Sequence, residues 1–365
     1  MHSSGKTPLI RLAKRDGMAG AGQWGIRIAA ILLALVVGGL VILLSGNNPI
    51  QGYAIIVEGA LGKTSGIRQT VKNFIPLLGT ALAIAPCFKM RFWNIGAEGQ
   101  ITAGAMCATY FALFWADSIP QVPLLLLMCA AGAIGGGLWA LVPAFFKARW
   151  GTNETLFTLM MNYVAIQITS YCVALWEFPV GSNTVGVIHQ QTKYGWFPEI
   201  FGQEYGLNVI LVMTLTVGMY IYLKYSKHGY EITVVGDSEN TARYAGISVK
   251  KVTVRTMAIS GAICGLAGFI AVAGVGHTIS TSTAGGRGFT AIIVAWLAQF
   301  NTFVMILISL LLVFLQKGAI QIATQFGLND YASNIITGII LFFILGSEFF
   351  INYRVIIRSR KEGAK

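Results

Sequence analysis

Long apolar runs separated by short polar stretches dominate the chain, and about ten of them approach the ~20 residues a helix needs to cross a bilayer. They fall at residues 26–44, 74–88, 100–115, 123–146, 155–176, 207–225, 254–275, 289–298, 302–320 and 332–350. The second, third and eighth are short or edged by glycine. This pattern predicts an all-α polytopic membrane protein with about ten transmembrane helices, some of them broken. The predicted division is a cytoplasmic leader at 1–25, a transmembrane domain at 26–351 with a cytoplasmic loop at 226–253, and a basic cytoplasmic tail at 352–365. The leader carries Lys6, Arg11, Lys14 and Arg15, and the run behind it exceeds the ~7 to 15 apolar residues of a cleaved signal, so it reads as an anchor.

Composition sharpens the class. Hydrophobic residues make up 55% of the chain and charged residues 11%, with a mean hydropathy of +0.68, far from the roughly 25% charged norm of soluble domains. The net charge of +12 raises nucleic-acid binding, but the Lys and Arg residues cluster between apolar runs and at the ends, with no basic face interleaved with aromatics. Membrane orientation explains them better. An internal N-terminus and ten crossings put Lys89, Arg91, Lys147, Arg149, the 224–255 stretch, Arg354, Arg358, Arg360 and Lys361 on the cytoplasmic side. The 177–206 loop then lies outside with Lys193 as its one Lys or Arg, while Lys63, Arg68 and Lys72 are misfits on that side. Trp24, Trp115, Trp150 and Trp176 stand near span ends, where interfacial aromatics belong. Cys87, Cys107, Cys129, Cys172 and Cys264 lie in or beside apolar runs without metal-ligand spacing and read as small core residues.

Chemistry concentrates in two places. The first is Phe92-Trp93-Asn94-Ile95-Gly96-Ala97-Glu98-Gly99-Gln100, a glycine-punctuated break between two apolar runs. Open backbone at membrane depth survives only where protein buries it or where it lines a wet cavity, so this break is a candidate site for a polar solute. Asn94 and Gln100 can bond ribose hydroxyls or base edges, with Phe92 and Trp93 as stacking faces, or Asn94 and Gln100 can satisfy each other. Glu98 is either a solute ligand or a structural acceptor for the open amides of Gly96, Gly99 or a half-helix N-terminus, the structural role being favoured. Arg287 and Thr290 are candidates of the same kind in a second glycine-rich break, with outward snorkelling the favoured reading of Arg287. Asn162, inside the fifth run, is a candidate for the solute path or for gluing helices. The segments 74–115 and 254–298 each read as span, break and short span in opposite senses, which predicts two inverted repeats with a site near the midplane.

The second place is Gly236-Asp237-Ser238-Glu239-Asn240-Thr241-Ala242-Arg243-Tyr244-Ala245-Gly246-Ile247. Asp237 or Ser238 can cap a helix, Glu239 suits its positive end and Gly246 its stop, giving about two turns. So short a helix is marginal in water and needs a surface to pack on. It therefore reads either as a docking helix or as an ordinary capped loop.

These two stretches and the layout of spans resemble the membrane-spanning permease subunits of bacterial ABC importers for simple sugars and nucleosides, and the nonapeptide looks most like the nucleoside branch. The resemblance runs from about residue 74 to 350. It implies a multi-pass subunit of the bacterial cell membrane that forms the path for nucleosides, or alternatively for simple sugars such as pentoses. It implies a cytosolic tandem-domain ATPase holding ATP and Mg, a second permease subunit that is a different paralogue, and an extracytoplasmic solute-binding lipoprotein. No cofactor is expected in this chain itself. The residues from Gly236 to Ile247 would be the coupling helix, with Gly236, Asp237, Asn240, Ala242, Arg243, Tyr244, Ala245 and Gly246 facing the ATPase. Asp237-Ser238-Glu239 departs from the Glu-Asn pattern of that loop.

Other classes fit the residues less well. Gly5-Lys6-Thr7 and Gly62-Lys63-Thr64 lack the earlier glycine of a phosphate loop and a preceding strand. An ion-coupled secondary transporter needs titratable stations at depth, and here Glu98 is the one carboxylate in a break while Glu154 and Glu348 sit near span ends. His189, His228 and His277 are scattered, and no nucleophile elbow or zinc-protease motif supports a membrane-embedded enzyme.

Overall fold

The computed structural model describes residues 10–15, 20–62, 64–200, 202–328 and 330–357. The calls made on Lys6, Lys63, Arg358, Arg360 and Lys361 lie outside the described residues, as does the side chain of Trp24. The chain is helical through about three quarters of its described length, and every expected run lies in a helix. Among the described residues, seven helices are long and apolar enough to cross a membrane. The predicted run at 100–115 lies in an 18-residue helix that is not among these seven, the run at 289–298 lies in one of only 11 residues, and the apolar part of the last helix spans Ile335–Ile351.

The chain divides into two compact units. One contains residues 67–313. Its helices are α3 (Thr64–Lys89, which begins just before the unit), α4 (Ala97–Phe114), α5 (Gln121–Trp150), α6 (Glu154–Leu175), α7 (Gly206–Tyr225), α8 (Lys227–Asp237), α9 (Glu239–Tyr244), α10 (Val249–Ile270) and α11 (Arg287–Leu297). A π-helical turn, Ala271–Gly276, extends α10. Helices α3 and α10 are mostly buried, whereas α5, α6 and α7 leave most of their surface open, the division expected between central and lipid-facing helices.

Small residues set the central packing. A Cβ on Gly104 of α4 or Gly136 of α5 would collide with the backbone of α10 at Gly261 or Gly265, and one on Gly268 with Ile101 of α4. In lipid no hydrophobic drive holds helices together, so this backbone approach supplies the van der Waals contact instead. Aromatic residues band the two ends of the unit. Phe145, Phe146, Trp150 and Phe157 cluster at the basic end beside Lys147 and Arg149, and Tyr110, Phe111, Phe114, Trp115 and Trp176 cluster at the other. The second end carries a folded loop, 177–205, and is called the loop end below.

The other unit contains residues up to 66 and from 314 onward. It holds α1 (Gly20–Leu44), α2 (Pro49–Val57) with a π-helical turn at Glu58–Gly62, the second part of α12 (Thr302–Gln325), and α13 (Asp330–Asn352). Helix α2 was not expected: Asn48 caps it by accepting from the Ile50 amide, Pro49 starts it, and its 9 residues are too few to read as a span. It packs closely on α12, where a Cβ at Gly318 would collide with Ile56. Helix α1 lies along α13, with Arg27 paired to Glu348 at 2.8 Å. Among the described residues, β1 (Ile10–Lys14) pairs antiparallel with β2 (Tyr353–Ile357) in a two-stranded ribbon. Leader and tail therefore meet.

Candidate functional site

The break between α3 and α4 begins where α3 ends in a left-handed residue, Arg91 at φ 61°. The Phe92 amide reaches back to the Cys87 carbonyl at 2.9 Å and the Arg91 amide to Phe88 at 2.9 Å, which satisfies the last carbonyls of the helix. Beyond it, α6 supplies the missing partners. Thr158 Oγ1 accepts from the Ile95 amide at 3.2 Å. Asn162 accepts from the Gly99 amide at 2.8 Å and donates to the Ile95 carbonyl at 2.9 Å. Asn162 thus glues backbone rather than a neighbouring side chain. The approach needs glycine, because a Cβ on Gly99 would stand 3.0 Å from Asn162 Oδ1.

Asn94 and Gln100 are both buried and pair with each other, Asn94 Nδ2 donating at 3.2 Å and Asn94 Oδ1 accepting at 3.1 Å. Asn94 Oδ1 also accepts from the Gly96 amide at 3.1 Å. Phe92 is buried at 4% exposure and presents no stacking face, whereas Trp93 is 45% exposed. Trp93 stacks on Trp296 of α11 with ring centroids 5.7 Å apart, and Phe88 meets both rings edge-on.

Glu98 reaches the second break. Its two carboxylate oxygens accept from the Gly286 amide at 2.5 Å and the Gly288 amide at 2.7 Å. These are amides at the N-terminus of α11, where open donors and the helix dipole favour an anion. The amides of Gly96 and Gly99, offered by the sequence as alternatives, bond Asn94 and Asn162 instead. Gly286 is itself left-handed at φ 75°, and a Cβ on Gly288 would stand 2.6 Å from Glu98 Oε2. Helix α11 is therefore tied to the first break near both of its ends, by Glu98 at its start and by Trp93 at Trp296. Arg287 does not snorkel outward: it is partly buried, donating to the Thr283 carbonyl at 3.0 Å and to Asn73 Oδ1 at 3.5 Å. Thr290 Oγ1 donates to the Gly286 carbonyl at 3.2 Å, so it closes the first turn of α11.

Above the second break the 177–205 loop folds onto the end of α10. Phe197 N–H donates to the Ala273 carbonyl at 3.0 Å, and Ile188 N–H to the His277 carbonyl at 2.8 Å. Asn208 donates to the Gly274 carbonyl at 2.7 Å. The His277 ring lies flat on Trp196 with centroids 3.6 Å apart. Burial, with Lys72 and Lys193 nearby, lowers its pKa to about 4. In the same loop Glu177 accepts from the Gly181 and Asn183 amides, which hold its carboxyl below the usual range. Sequence reasoning gave this loop no part in the site, nor Thr158 and Trp296. A readable signal existed for Thr158, which stands one turn before Asn162 on the same apolar helix.

At the basic end the docking-like stretch departs from expectation. Gly236 and Asp237 close α8, with Gly236 pressed against the Lys89 carbonyl, and only Glu239–Tyr244 form the short helix α9. Ser238 caps α9 by accepting from Thr241, and Gly246 ends it in the left-handed region at φ 76°. Ala242 is fully buried within the chain, while Asn240, Arg243, Tyr244 and Ala245 are exposed, Tyr244 at 94%. Beside α9 lies a cavity of about 600 Å³ lined by Lys147, Arg149, Glu239, Arg243 and Lys250. Lys147 is paired with Glu154 at 2.6 Å and Arg243 with Glu239 at 3.3 Å. Among the described residues no cluster of His, Cys, Asp and Glu could hold a metal ion.

Residues 66–345 match the family described as branched-chain amino acid transport system / permease component. The chain belongs to that family. It is 31% identical over 93% of its length to the guanosine ABC transporter permease protein of Bacillus subtilis, covering 97% of that protein. It is 29% identical over 93% of its length to the glucose ABC transporter permease protein of Haloferax volcanii, covering 92% of that protein. It is 28% identical over 87% of its length to the nucleoside ABC transporter permease protein of Lactococcus lactis, covering 90%. The protein is thus a multi-pass membrane permease component of an ABC transporter, and the resemblance read from the two motifs holds over most of the chain.

Proposed function

We propose that this permease component forms the path by which an ATP-driven importer takes up nucleosides. The observation that carries the reading is the closure of two helix breaks on each other through Glu98, inside a unit whose central helices approach through glycines. Broken helices that meet within a bundle are where transporters place polar solutes. The half-exposed Trp93 and Trp296 pair favours a flat base over a sugar alone, because aromatic faces stack on purines and pyrimidines. Two relatives named for guanosine and nucleosides support this choice. The relative named for glucose supports the second reading, a simple sugar such as a pentose.

Transport of this kind needs no chemistry on the solute, only a bias between inward- and outward-facing states. The bias comes from a cytosolic tandem-domain ATPase, which holds ATP and Mg. Its docking surface is the exposed side of α9, centred on Tyr244 and Arg243, together with the turn after α5 at Lys147 and Arg149. A second, paralogous permease and an extracytoplasmic binding protein complete the assembly. The basic end faces the cytoplasm and the loop end the exterior, and the pairing of β1 with β2 supports placing both termini on one side, the cytoplasmic one.

The test uses the assembled complex in vesicles, with labelled guanosine, uridine, ribose and glucose supplied with the binding protein. Accumulation of both nucleosides in the presence of ATP, well above either sugar, is the expected result. Preference for a sugar would move the assignment to the second reading. Accumulation by this chain alone under a proton or sodium gradient would overturn ATP-driven import.

A further inference from the structure

Between α6, the 177–205 loop and the segment leading into the second break lies a cavity of about 540 Å³. Its polar lining is Ser170 from α6, Asn183 and Thr184 from the loop, and Thr278, Ser280 and Thr281 from the segment between α10 and α11. Val173 and Ile279 add apolar wall, and no ionisable side chain lines it. The neighbouring cavity, about 300 Å³, differs in kind, being lined by Lys193, Glu199, Glu204 and His277.

Volume and chemistry together select the ligand. Small-molecule sites run to about 300–1,000 Å³ and combine apolar wall with a few convergent polar groups. Hydroxyl and amide side chains both donate and accept, which matches a polyhydroxylated molecule. A phosphate or carboxylate brought here would lose its water with no cation to replace it. Among the described residues the hydroxyls of Ser170, Thr278 and Thr281 make no hydrogen bond to protein, although helical Thr158, Thr216 and Thr253 all turn back onto their own carbonyls. Nearby, Thr169 Oγ1 is buried without a partner.

We infer that this cavity is an outer waiting site for an uncharged polyhydroxylated solute, held before it passes the breaks. The inference rests on the import reading, and within that reading it excludes nucleotides. The site is also wired to the interior by chain continuity. The segment that presents Thr278 and Thr281 ends, five residues beyond Thr281, at Gly286, whose amide bonds Glu98. Solute seated against that segment bears on the start of α11.

The assembled complex is tested with labelled inosine, ribose and inosine monophosphate, in the native form and with Ser170→Phe or Thr281→Phe filling the cavity from two separate elements. Native complex should take up inosine and not its monophosphate. Each filling variant should raise the concentration for half-maximal uptake about tenfold or more. Ser170→Cys should react with a membrane-impermeant maleimide, and millimolar inosine should slow that labelling, a readout that needs no turnover. Inosine uptake that neither filling variant alters, with no protection of Ser170→Cys, removes the waiting site and leaves the nucleoside reading standing. Uptake of ribose but not inosine, impaired by both fillings, removes the nucleoside reading and keeps the site. Uptake of the monophosphate overturns the exclusion on which the inference rests.

Discussion

In the break between α3 and α4, the backbone groups of Ile95, Gly96 and Gly99 find their partners among three neutral side chains: Asn94 serves Gly96, while Thr158 and Asn162 of α6 serve Ile95 and Gly99. In the break between α10 and α11, Glu98 holds two amides at the start of α11, the loop end holds His277 through Ile188 and Trp196, Arg287 reaches Asn73, and the remaining contacts are short turns among Ser280, Thr283 and Gly286. The first break is a scaffold satisfied by several neutral hydrogen bonds, so no single loss undoes it. The second depends on one charge-assisted clamp, and its outer half lines a cavity with unpartnered hydroxyls.

The sharpest way to break this comparison is Glu98→Gln. One oxygen remains to accept, but the new amide group turns a donor toward a donor, and hydrogen bonds to a charged group are worth about 1.5–3 kcal/mol. Thermal unfolding of the purified complex should shift down by several degrees, and uptake should fall alike for every solute. Unchanged stability with an altered ranking of solutes would make Glu98 a ligand instead.

Gly288→Ala attacks the same clamp from the other side, since its Cβ would stand 2.6 Å from Glu98 Oε2. Overpacking of this kind costs about 1–3 kcal/mol. Combined with Glu98→Gln, the two losses should fall well short of their sum, because both act on one contact. Additive losses would show that the clamp is not the shared cause.

Asn162→Ala probes the first break and should cost about 1–2 kcal/mol, as two neutral hydrogen bonds are lost while the rest of that scaffold holds. Solute ranking should not change in a competition assay. A loss equal to that of Glu98→Gln would erase the contrast between the breaks.

The smallest effect is confined to the loop end and depends on pH. With its pKa lowered to about 4 in the fold, against 6.5 when free, His277 is neutral above pH 6.5 and contributes its full stability there. That contribution is lost as pH falls from 6.5 toward 4, since the unfolded ring binds the proton first. Hydrogen exchange of the Ile188 and Phe197 amides, corrected for its intrinsic pH dependence, should quicken below about pH 5 in the native background. In His277→Phe, which keeps a ring for Trp196 and cannot titrate, that acceleration should vanish.

Much of this was legible from residue pattern. Apolar runs located each long helix because lipid demands some 20 apolar residues whatever the neighbours are. The cap at Ser238 and the stop at Gly246 were readable because both act within a few residues of themselves. Helix α2 was missed since 9 residues carry too little periodicity, and the stretch from Gly236 to Ile247, read as one unit, is divided because Gly236 and Asp237 still belong to α8.

The sequence by itself determined that this is a helical membrane protein, where its helices are interrupted, and which permease family it resembles, all of which follow from hydrophobic length and local motifs. Only the tertiary structure decided what the polar residues bind. Asn94 could pair with solute or with Gln100, and Glu98 could serve its own break or another. Such choices turn on which groups the fold brings within about 3 Å. In a bundle whose helices are drawn together by glycine contacts spread over α4, α5 and α10, those distances are set by the joint packing of segments far apart in the chain, and no single stretch of residues encodes them.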